Sequence, residues 1–189
     1  MVQPALLVID VQKAIDASSW GDDRNNPGAE ARIARLLAHW RARGWPIFHV
    51  RHCSRQPNSP YRPGQVGAEF KAEVTPAPGE RIIDKSVTSA FIGTTLEQEL
   101  RAANITQLVI TGVITNNSVE ATARMAGNLG FDTWVIADAT ATFGRLDFDG
   151  RWRTADEVHA LSLANLNGEY ATIVSTAEVL RVFGEVGGA

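Results

Sequence analysis

The chain has 189 residues, of which 44% are hydrophobic and 21% are charged. This balance is typical of one folded domain, residues 1–189, with a sizeable buried core. The formal net charge of −3 excludes an electrostatic reason to expect nucleic acid or an anionic membrane as partner, so a small molecule is the expected one.

The first predicted element is a strand over residues 5–9, ALLVI, an apolar run suited to burial on both faces. The residues before it lack the basic region of a signal peptide, and no stretch is apolar enough to span a bilayer. The single cysteine, Cys53, cannot form an internal disulfide. These features predict a cytoplasmic protein.

A helix and a second strand follow. Asn26-Pro27 is typical of a helix cap followed by proline at the first helical position, and Gly44 ends the periodic segment. The run WPIFHV, residues 45–50, predicts the second strand. The segment 54–78 is rich in Pro and Gly and is long for a structureless connection, which favours a lid or binding loop.

The middle of the chain continues the alternation of strands and helices. Residues 81–83 predict a third strand that leads into Lys85. Thr94 or Thr95 starts the next helix, and Leu108-Val109-Ile110 forms a central buried strand.

The remaining elements complete the predicted fold. The run TWVIAD, residues 133–138, predicts a fifth strand and residues 171–174 a sixth. Thr154 to Glu157 and Ser175 to Glu178 have capping-box spacing, so two helices start there. Alternating strands and helices require right-handed crossovers, so we expect a Rossmann-like three-layer α/β/α sandwich with a mostly parallel six-stranded sheet.

Three polar residues near predicted strand ends are candidates for chemistry. Asp10 ends the first strand, where a carboxylate is either functional or turn-forming. Lys85 is either a site cation or a solvated surface lysine. Ser118 stands at a helix entrance, where it, Asn116 or Asn117 caps the helix, or where Ser118 faces a substrate beside backbone donors.

Other reactive side chains favour structural interpretations. Cys53 is a rival nucleophile, but a lone cysteine is more often a small buried hydrophobe, and His52 is weighed in the same way. Asp138 is expected to be a cap or turn residue, and His159 a packed residue within its helix.

Three ordered segments carry a resemblance to a known family: LLVIDVQ, DKSVTSAF and TGVITNNSVEATARMAGNLGF. They resemble the isochorismatase-like family, often called the cysteine hydrolases, over almost the whole chain. The resemblance implies a catalytic site made of Asp10, Lys85 and a cysteine position that Ser118 occupies here. It also implies a non-proline cis peptide at Val113-Ile114.

The function that the resemblance implies is hydrolysis of a C–N bond in a small molecule. The Gly112 turn and the helix entrance predict that the N–H groups of Ile114 and Ser118 form the oxyanion site. Gln12, Trp20 and Phe70 are the predicted substrate contacts, although Trp20 can also cover the core edge. The protein is expected to be a homo-oligomer, a dimer or a tetramer.

No metal and no cofactor are predicted. The segment RHCSRQPNSP, which includes His52, lacks the Asp and His cluster of metal-binding relatives such as nicotinamidases, and His49 also fits such a site poorly. The sequence has no phosphate loop, no H-E-x-x-H zinc motif and no dinucleotide fingerprint after the first strand.

The serine at position 118 leaves three explanations open. It is an engineered substitution, a natural serine nucleophile, or part of a site that needs no covalent step, as in isochorismatases that cleave a vinyl ether by acid chemistry. A serine hydroxyl is much less acidic than a thiol, so a carboxylate base generates less nucleophile from it. A catalytically silent binding or scaffold protein is the alternative outside the enzymes.

Overall fold

A computed structural model describes residues 3–184. The strands are β1 Ala5–Ile9, β2 Ile47–His52, β3 Arg81–Lys85, β4 Gln107–Val113, β5 Asp132–Ala141, β6 Arg145–Leu146, β7 Trp152–Arg153 and β8 Thr172–Val174. The α-helices are α1 Ala29–Arg43, α2 Leu96–Ala102, α3 Glu120–Asn128, α4 Ala155–Leu166 and α5 Thr176–Gly184.

Six strands form one sheet in the order β3-β2-β1-β4-β5-β8, and every neighbouring pair is parallel. The order reverses direction beside β1 and β4, which is where ligands bind in open sheets of this kind. Strands β6 and β7 form a separate antiparallel pair. The predicted three-layer fold with a six-stranded sheet is confirmed.

The alternation of side chains along β1 explains why both faces of the sheet are covered. Leu7 and Ile9 pack into one core with residues of α2, α3 and α4. Leu6 and Val8 point to the other face and pack with residues of α1 and α5. Full burial of such a side chain stabilises the fold by about 1.5–3 kcal/mol, so the apolar run of β1 determines its central place.

The helix starts agree with the predicted capping boxes. The Thr154 hydroxyl accepts from the Glu157 N–H, and the Glu157 carboxylate accepts from the Thr154 N–H. Ser175 and Glu178 make the same reciprocal bonds at α5. Asp138 accepts from the N–H and hydroxyl of Thr176, as expected for a capping residue.

The start of α1 differs from the prediction. The helix begins at Ala29, and no side chain caps its N-terminus. Asn26 instead has a left-handed φ of 46° and donates from its amide to the carbonyl oxygens of Ala137 and Thr140. The prediction that Asn26 caps this helix is therefore wrong, because the side chain joins the loop to β5.

The boundaries of three strands also differ from the predicted ones. The second strand begins two residues later than predicted and continues to His52, the third continues to Lys85, and the fifth spans Asp132–Ala141. Each strand therefore runs further toward its carboxyl end than the apolar letters indicate. In residues 3–184, no helix has the length and apolar character needed to cross a bilayer.

Candidate functional site

Asp10 lies where β1 leaves the sheet. Its backbone N–H donates to the Val50 carbonyl at 3.0 Å, and its own carbonyl accepts from the Gln12 N–H at 2.8 Å. Its φ of 53° turns the chain sharply, so Asp10 is a turn residue and also directs a buried carboxylate toward the neighbouring strand ends. The turn-forming alternative therefore describes the backbone of Asp10, and its catalytic role stays a prediction.

Gly112 lets the carboxyl end of β4 approach β1 closely. Its φ is 121°, and a Cβ there would lie 2.1 Å from the carbonyl oxygen of Ile9. Only glycine fits both the backbone conformation and the contact. This close approach brings the loop after β4 next to Asp10.

Lys85 ends β3, and its side chain is fully buried. The ammonium group donates to Asp10 Oδ2 at 2.6 Å, to the Val87 carbonyl at 3.1 Å and to Ser118 Oγ at 3.2 Å. The interpretation of Lys85 as a solvated surface residue is wrong, because its charge is paired inside the protein. Asp10, Lys85 and Ser118 form one contiguous cluster; their catalytic roles remain a prediction.

Ser118 lies in a single π-helical turn, Thr115–Val119, that precedes α3. The predicted cis peptide at Val113-Ile114 is confirmed. No side chain caps this turn or α3, and the Asn116 side chain instead accepts from the Thr142 hydroxyl. The interpretation of this segment as a side-chain cap is therefore wrong, and Ser118 is buried against Lys85.

His159 anchors the π-helical turn from α4. Its Nδ1 lies 2.9 Å from the Thr115 hydroxyl, and its Nε2 lies 3.0 Å from the Ala137 carbonyl. Because a carbonyl only accepts, the Nε2 carries the proton and Nδ1 accepts from Thr115. Burial lowers the pKa of His159, in agreement with a neutral, packed histidine.

A cavity of about 310 Å³ opens beside the cluster. Its volume is at the lower end of the range for small-molecule sites. Its lining comes from the turn after β4, from the segments around Trp20 and Tyr61, and from the ends of β1 and β2: Asp10, Ser19, Trp20, His52, Ser59, Pro60, Tyr61, Thr88, Val113, Ile114, Asn117 and Ser118. A larger cavity of about 460 Å³ beside α4 contains none of the predicted catalytic residues, so volume alone does not locate the site.

Two of the three residues predicted to contact substrate lie outside the cavity. Trp20 lines the cavity, whereas Gln12 and Phe70 do not. Gln12 is fully buried and binds the backbone of His52 through both of its amide atoms. Phe70 forms a bridge with Gln12 and packs its ring against His49. Both residues therefore hold the segment after β1 against β2 and the segment 54–78. This geometry gives no support to their predicted contact with substrate.

Tyr61 lines the cavity although the sequence does not indicate it. It lies in the Pro- and Gly-rich segment 54–78 that was predicted to contribute a lid or binding loop, and Ser59 and Pro60 of that segment also line the cavity. Nothing in the local sequence distinguishes Tyr61 from its neighbours. Its position depends on how the segment returns across the sheet edge.

Burial shifts the pKa values of three titratable residues that line the cavity, Asp10, His52 and Tyr61. It raises the pKa of Asp10, against the opposing effect of the Lys85 charge. Burial and the Lys85 charge lower the pKa of His52 to about 4, so His52 is neutral at pH 7. Burial and the nearby Asp10 charge raise the pKa of the Tyr61 hydroxyl. A carboxylate with raised proton affinity is suited to general acid and base chemistry.

Cys53 does not take part in the cavity. It is partly buried rather than fully buried, and it does not line the cavity wall. Burial and the charge of Asp84 raise the pKa of its thiol, which reduces the fraction of reactive thiolate. Among residues 3–184, no three His, Cys, Asp or Glu side chains come together in a group that could hold a metal ion.

Comparisons of the chain with family models, with other sequences and with solved structures all identify the same family. The isochorismatase domain family matches residues 4–178. The chain is 45% identical over 179 residues to the isochorismatase family protein YrdC of Bacillus subtilis, and the match covers 95% of each chain. It is 31% identical over 176 residues to the ureidoacrylate amidohydrolase RutB of Cronobacter sakazakii, covering 75% of this chain and 76% of that protein.

A solved structure agrees with these matches. An isochorismatase-family protein from Chromobacterium violaceum superposes with a TM-score of 0.94 at 55% sequence identity. The superposition covers 97% of this chain and 95% of that one. The similarity therefore extends over almost the whole chain.

Proposed function

The chain belongs to the isochorismatase family of hydrolases, and from that premise we propose that it cleaves a C–N bond of the amide type in a small molecule. The observation that carries the proposal is the buried contact of Lys85 with both Asp10 and Ser118 beside a cavity. The amidohydrolase activity named for the RutB relative also supports it.

Asp10 is the proposed proton carrier. Its Oδ2 is held by Lys85, while its Oδ1 is buried without a hydrogen-bond partner in the described part of the chain. An unoccupied acceptor next to Ser118 can take a proton from a nucleophile that attacks the carbonyl carbon. The same carboxyl can then return the proton to the leaving nitrogen, which departs as a neutral amine or ammonia.

Ser118 occupies the position that a cysteine holds in the cysteine hydrolases, and in this proposal it is the nucleophile or it orients an attacking water. Its Oγ accepts from Lys85, so its own proton is free for another acceptor. Because a serine hydroxyl is far less acidic than a thiol, the Asp10 base activates it less well. We expect slow covalent chemistry or direct attack by water.

The oxyanion site of this proposal consists of the backbone N–H groups of Ile114 and Ser118. Both residues line the cavity, and Ser118 lies at the entrance of α3, where the helix dipole favours negative charge. Donors of this kind stabilise the oxygen on which charge develops in the transition state.

A second candidate is hydrolysis of a vinyl ether without a covalent step. The observation that favours it is the combination of a serine at the nucleophile position with a buried Asp10 whose pKa is raised. A carboxyl of this kind can hold a proton and donate it to the substrate carbon. This chemistry needs Asp10 but no nucleophilic side chain.

A panel of small amides, esters and isochorismate, assayed with the wild type and with Ser118→Cys, tests the proposal. We expect the wild type to release ammonia or amine from an amide, and Ser118→Cys to raise this rate. Turnover of isochorismate with no amide turnover by either protein would contradict the proposal and favour the vinyl-ether reaction.

A further inference from the structure

The antiparallel pair of β6 and β7 lies outside the main sheet and exposes apolar side chains. Leu146 and Trp152, which are paired across the two strands, are each more than half exposed, and Phe148 in the turn between the strands is fully exposed. Single exposed apolar residues are common on protein surfaces, but a two-stranded hairpin needs a packing partner for its stability. The hairpin of residues 145–153 therefore presents an apolar surface that residues 3–184 leave uncovered.

The turn that carries Phe148 is held in one conformation. The Asp147 carboxylate accepts from the backbone N–H groups of Asp149 and Arg151 at 3.0 and 2.9 Å. It also accepts from the Arg153 guanidinium at 2.7 Å. Phe148 therefore extends from an ordered support, and a contact residue that is already ordered loses little conformational entropy on binding.

A cavity of about 460 Å³ lies between this hairpin and α4. Its apolar lining comes from Leu146, Val158 and Leu161, and Leu161 is exposed on α4. Because Leu146 and Asp147 also line it, the cavity adjoins the turn that carries Phe148. Aromatic side chains that fill such pockets are frequent anchors of protein interfaces. The same face of the molecule thus carries both an aromatic anchor and a pocket of suitable character.

Unpaired charges of opposite sign accompany the anchor and the pocket. Arg145 lines the cavity, Asp149 follows Phe148, and neither side chain makes an ion pair within residues 3–184. The other charged residues of the lining are in ion pairs within the chain: Glu120, Asp147, Arg153 and Glu157. A Phe148 side chain that enters the cavity of another molecule brings Asp149 toward the unpaired cation of that cavity.

The occupant that matches this surface is a second copy of the chain. A two-fold axis requires a self-complementary face, and here the anchor and the pocket lie side by side with opposite unpaired charges. We propose that the hairpin 145–153 and α4 form a dimer interface, with Phe148 of each copy in the cavity of the other and Asp149 beside Arg145 of the partner subunit. This inference does not depend on the proposed C–N hydrolysis.

Analytical ultracentrifugation of the full chain, whose mass is 20.5 kDa, tests the proposal. We expect the wild type to be a dimer at micromolar concentration and Phe148→Ser to weaken dimerisation by at least about 30-fold, because it removes a central aromatic anchor. Since Phe148 is fully exposed, the variant should fold, which thermal unfolding verifies. A monomeric wild type would leave this face to a different partner and overturn the proposal.

Val66→Ser is the matched control for Phe148→Ser. Val66 is also mostly exposed, but it lines a different cavity, beside Cys53. The same change from an apolar residue to serine should therefore leave the dimerisation constant unchanged. A dimer that Val66→Ser dissociates and Phe148→Ser does not would place the interface elsewhere and overturn the proposal.

Two charge reversals test the reciprocal contact between copies. Arg145→Asp and Asp149→Arg each put like charges opposite each other at both contacts of a homodimer, so each variant alone should dimerise about tenfold more weakly or worse. When the two variants are mixed, both contacts of the heterodimer again join opposite charges, and the affinity should return toward that of the wild type. A mixture that stays dissociated, or single variants that dimerise as the wild type does, would contradict the proposed contact.

Discussion

Two carboxylates beside the same sheet, the partly buried Glu80 and the buried Asp10, differ in how many of their oxygens are bonded. Glu80 precedes β3 and accepts from His49 Nε2 at 2.7 Å, from the Arg41 guanidinium at 2.7 and 2.9 Å, and from the Ala77 N–H at 2.7 Å. Both of its oxygens are occupied. Burial by itself raises the pKa of Glu80, but hydrogen bonds from Arg41, Ala77 and His49 outweigh it and hold the value at about 2.

The Asp10 carboxylate has a hydrogen-bond partner on one of its two oxygens. Lys85 holds Oδ2, Oδ1 has no partner among the described residues, and burial raises the pKa of Asp10. A carboxylate whose oxygens are both bonded to donors stays ionised to lower pH and stabilises the fold. One with an empty acceptor and a raised proton affinity can exchange a proton with a ligand. The comparison therefore separates a structural cluster from the one that we propose to be reactive.

The largest expected effect is on activity. Asp10→Asn should lower kcat/KM by about 10²–10⁴, because it removes a positioned acid and base. The readout is steady-state kinetics on any amide that the wild type hydrolyses. Glu80→Gln is the matched control, since it makes the same carboxylate-to-amide change in the saturated cluster and should leave kcat/KM unchanged. Equal losses in both variants would contradict the distinction.

The next effect is on stability. Lys85→Met leaves Asp10 buried and unpaired, so we expect the free energy of unfolding to fall by about 3–5 kcal/mol. Lys13→Met breaks a pair with Glu69 whose side chains are about half exposed, and it should cost less than about 1 kcal/mol. Urea unfolding measures both.

The double variant Asp10→Leu with Lys85→Met sharpens this prediction. It removes both charges, so its stability should exceed that of Lys85→Met alone. A double variant that is less stable than Lys85→Met would show that the loss comes from packing and not from the unpaired carboxylate.

A smaller loss of stability is expected in the saturated cluster. Glu80→Gln keeps the shape but weakens hydrogen bonds to charged partners, so the free energy of unfolding should fall by about 1–3 kcal/mol. Denaturant unfolding at pH 7 provides the measurement. A variant as stable as the wild type would show that Arg41 and His49 gain nothing from the charge of Glu80.

The smallest expected effect is the pH dependence of the stability difference between the wild type and Glu80→Gln. The pKa of Glu80 is lowered from 4.5 to about 2, so its stabilising contribution is present above about pH 4.5 and is lost as the pH falls toward 2. The stability gap between wild type and Glu80→Gln should thus be smaller at pH 3 than at pH 6. A stability difference that grows on acidification would show that folding raises the pKa of Glu80 and does not lower it.

The sequence supports prediction of the parts that depend on local patterns. Apolar runs identified the strands, the spacing of Thr154 and Glu157 identified a helix start, and the family resemblance identified Asp10, Lys85 and Ser118 as residues that lie together. The cis peptide bond at Val113-Ile114 was also predicted from the resemblance.

Features that depend on distant pairing were not predictable. The register of β1 against β2 puts Gln12 under the backbone of His52, which makes it a brace. The path of the segment 54–78 brings Tyr61 to the cavity. Glu80 joins its cluster because β2 and α1 bring His49 and Arg41 next to it. None of these contacts leaves a local sequence signal.

The central claim is that Asp10, and not the hydroxyl of Ser118, supplies most of the chemistry. The direct measurement compares kcat/KM of Asp10→Asn and Ser118→Ala on one substrate. Ser118→Ala should lose only about tenfold, from roughly 1.4 kcal/mol of lost hydrogen bonding, so Asp10→Asn should be the less active variant. A less active Ser118→Ala, together with a burst of product from an ester in the wild type, would identify Ser118 as the true nucleophile and contradict the claim.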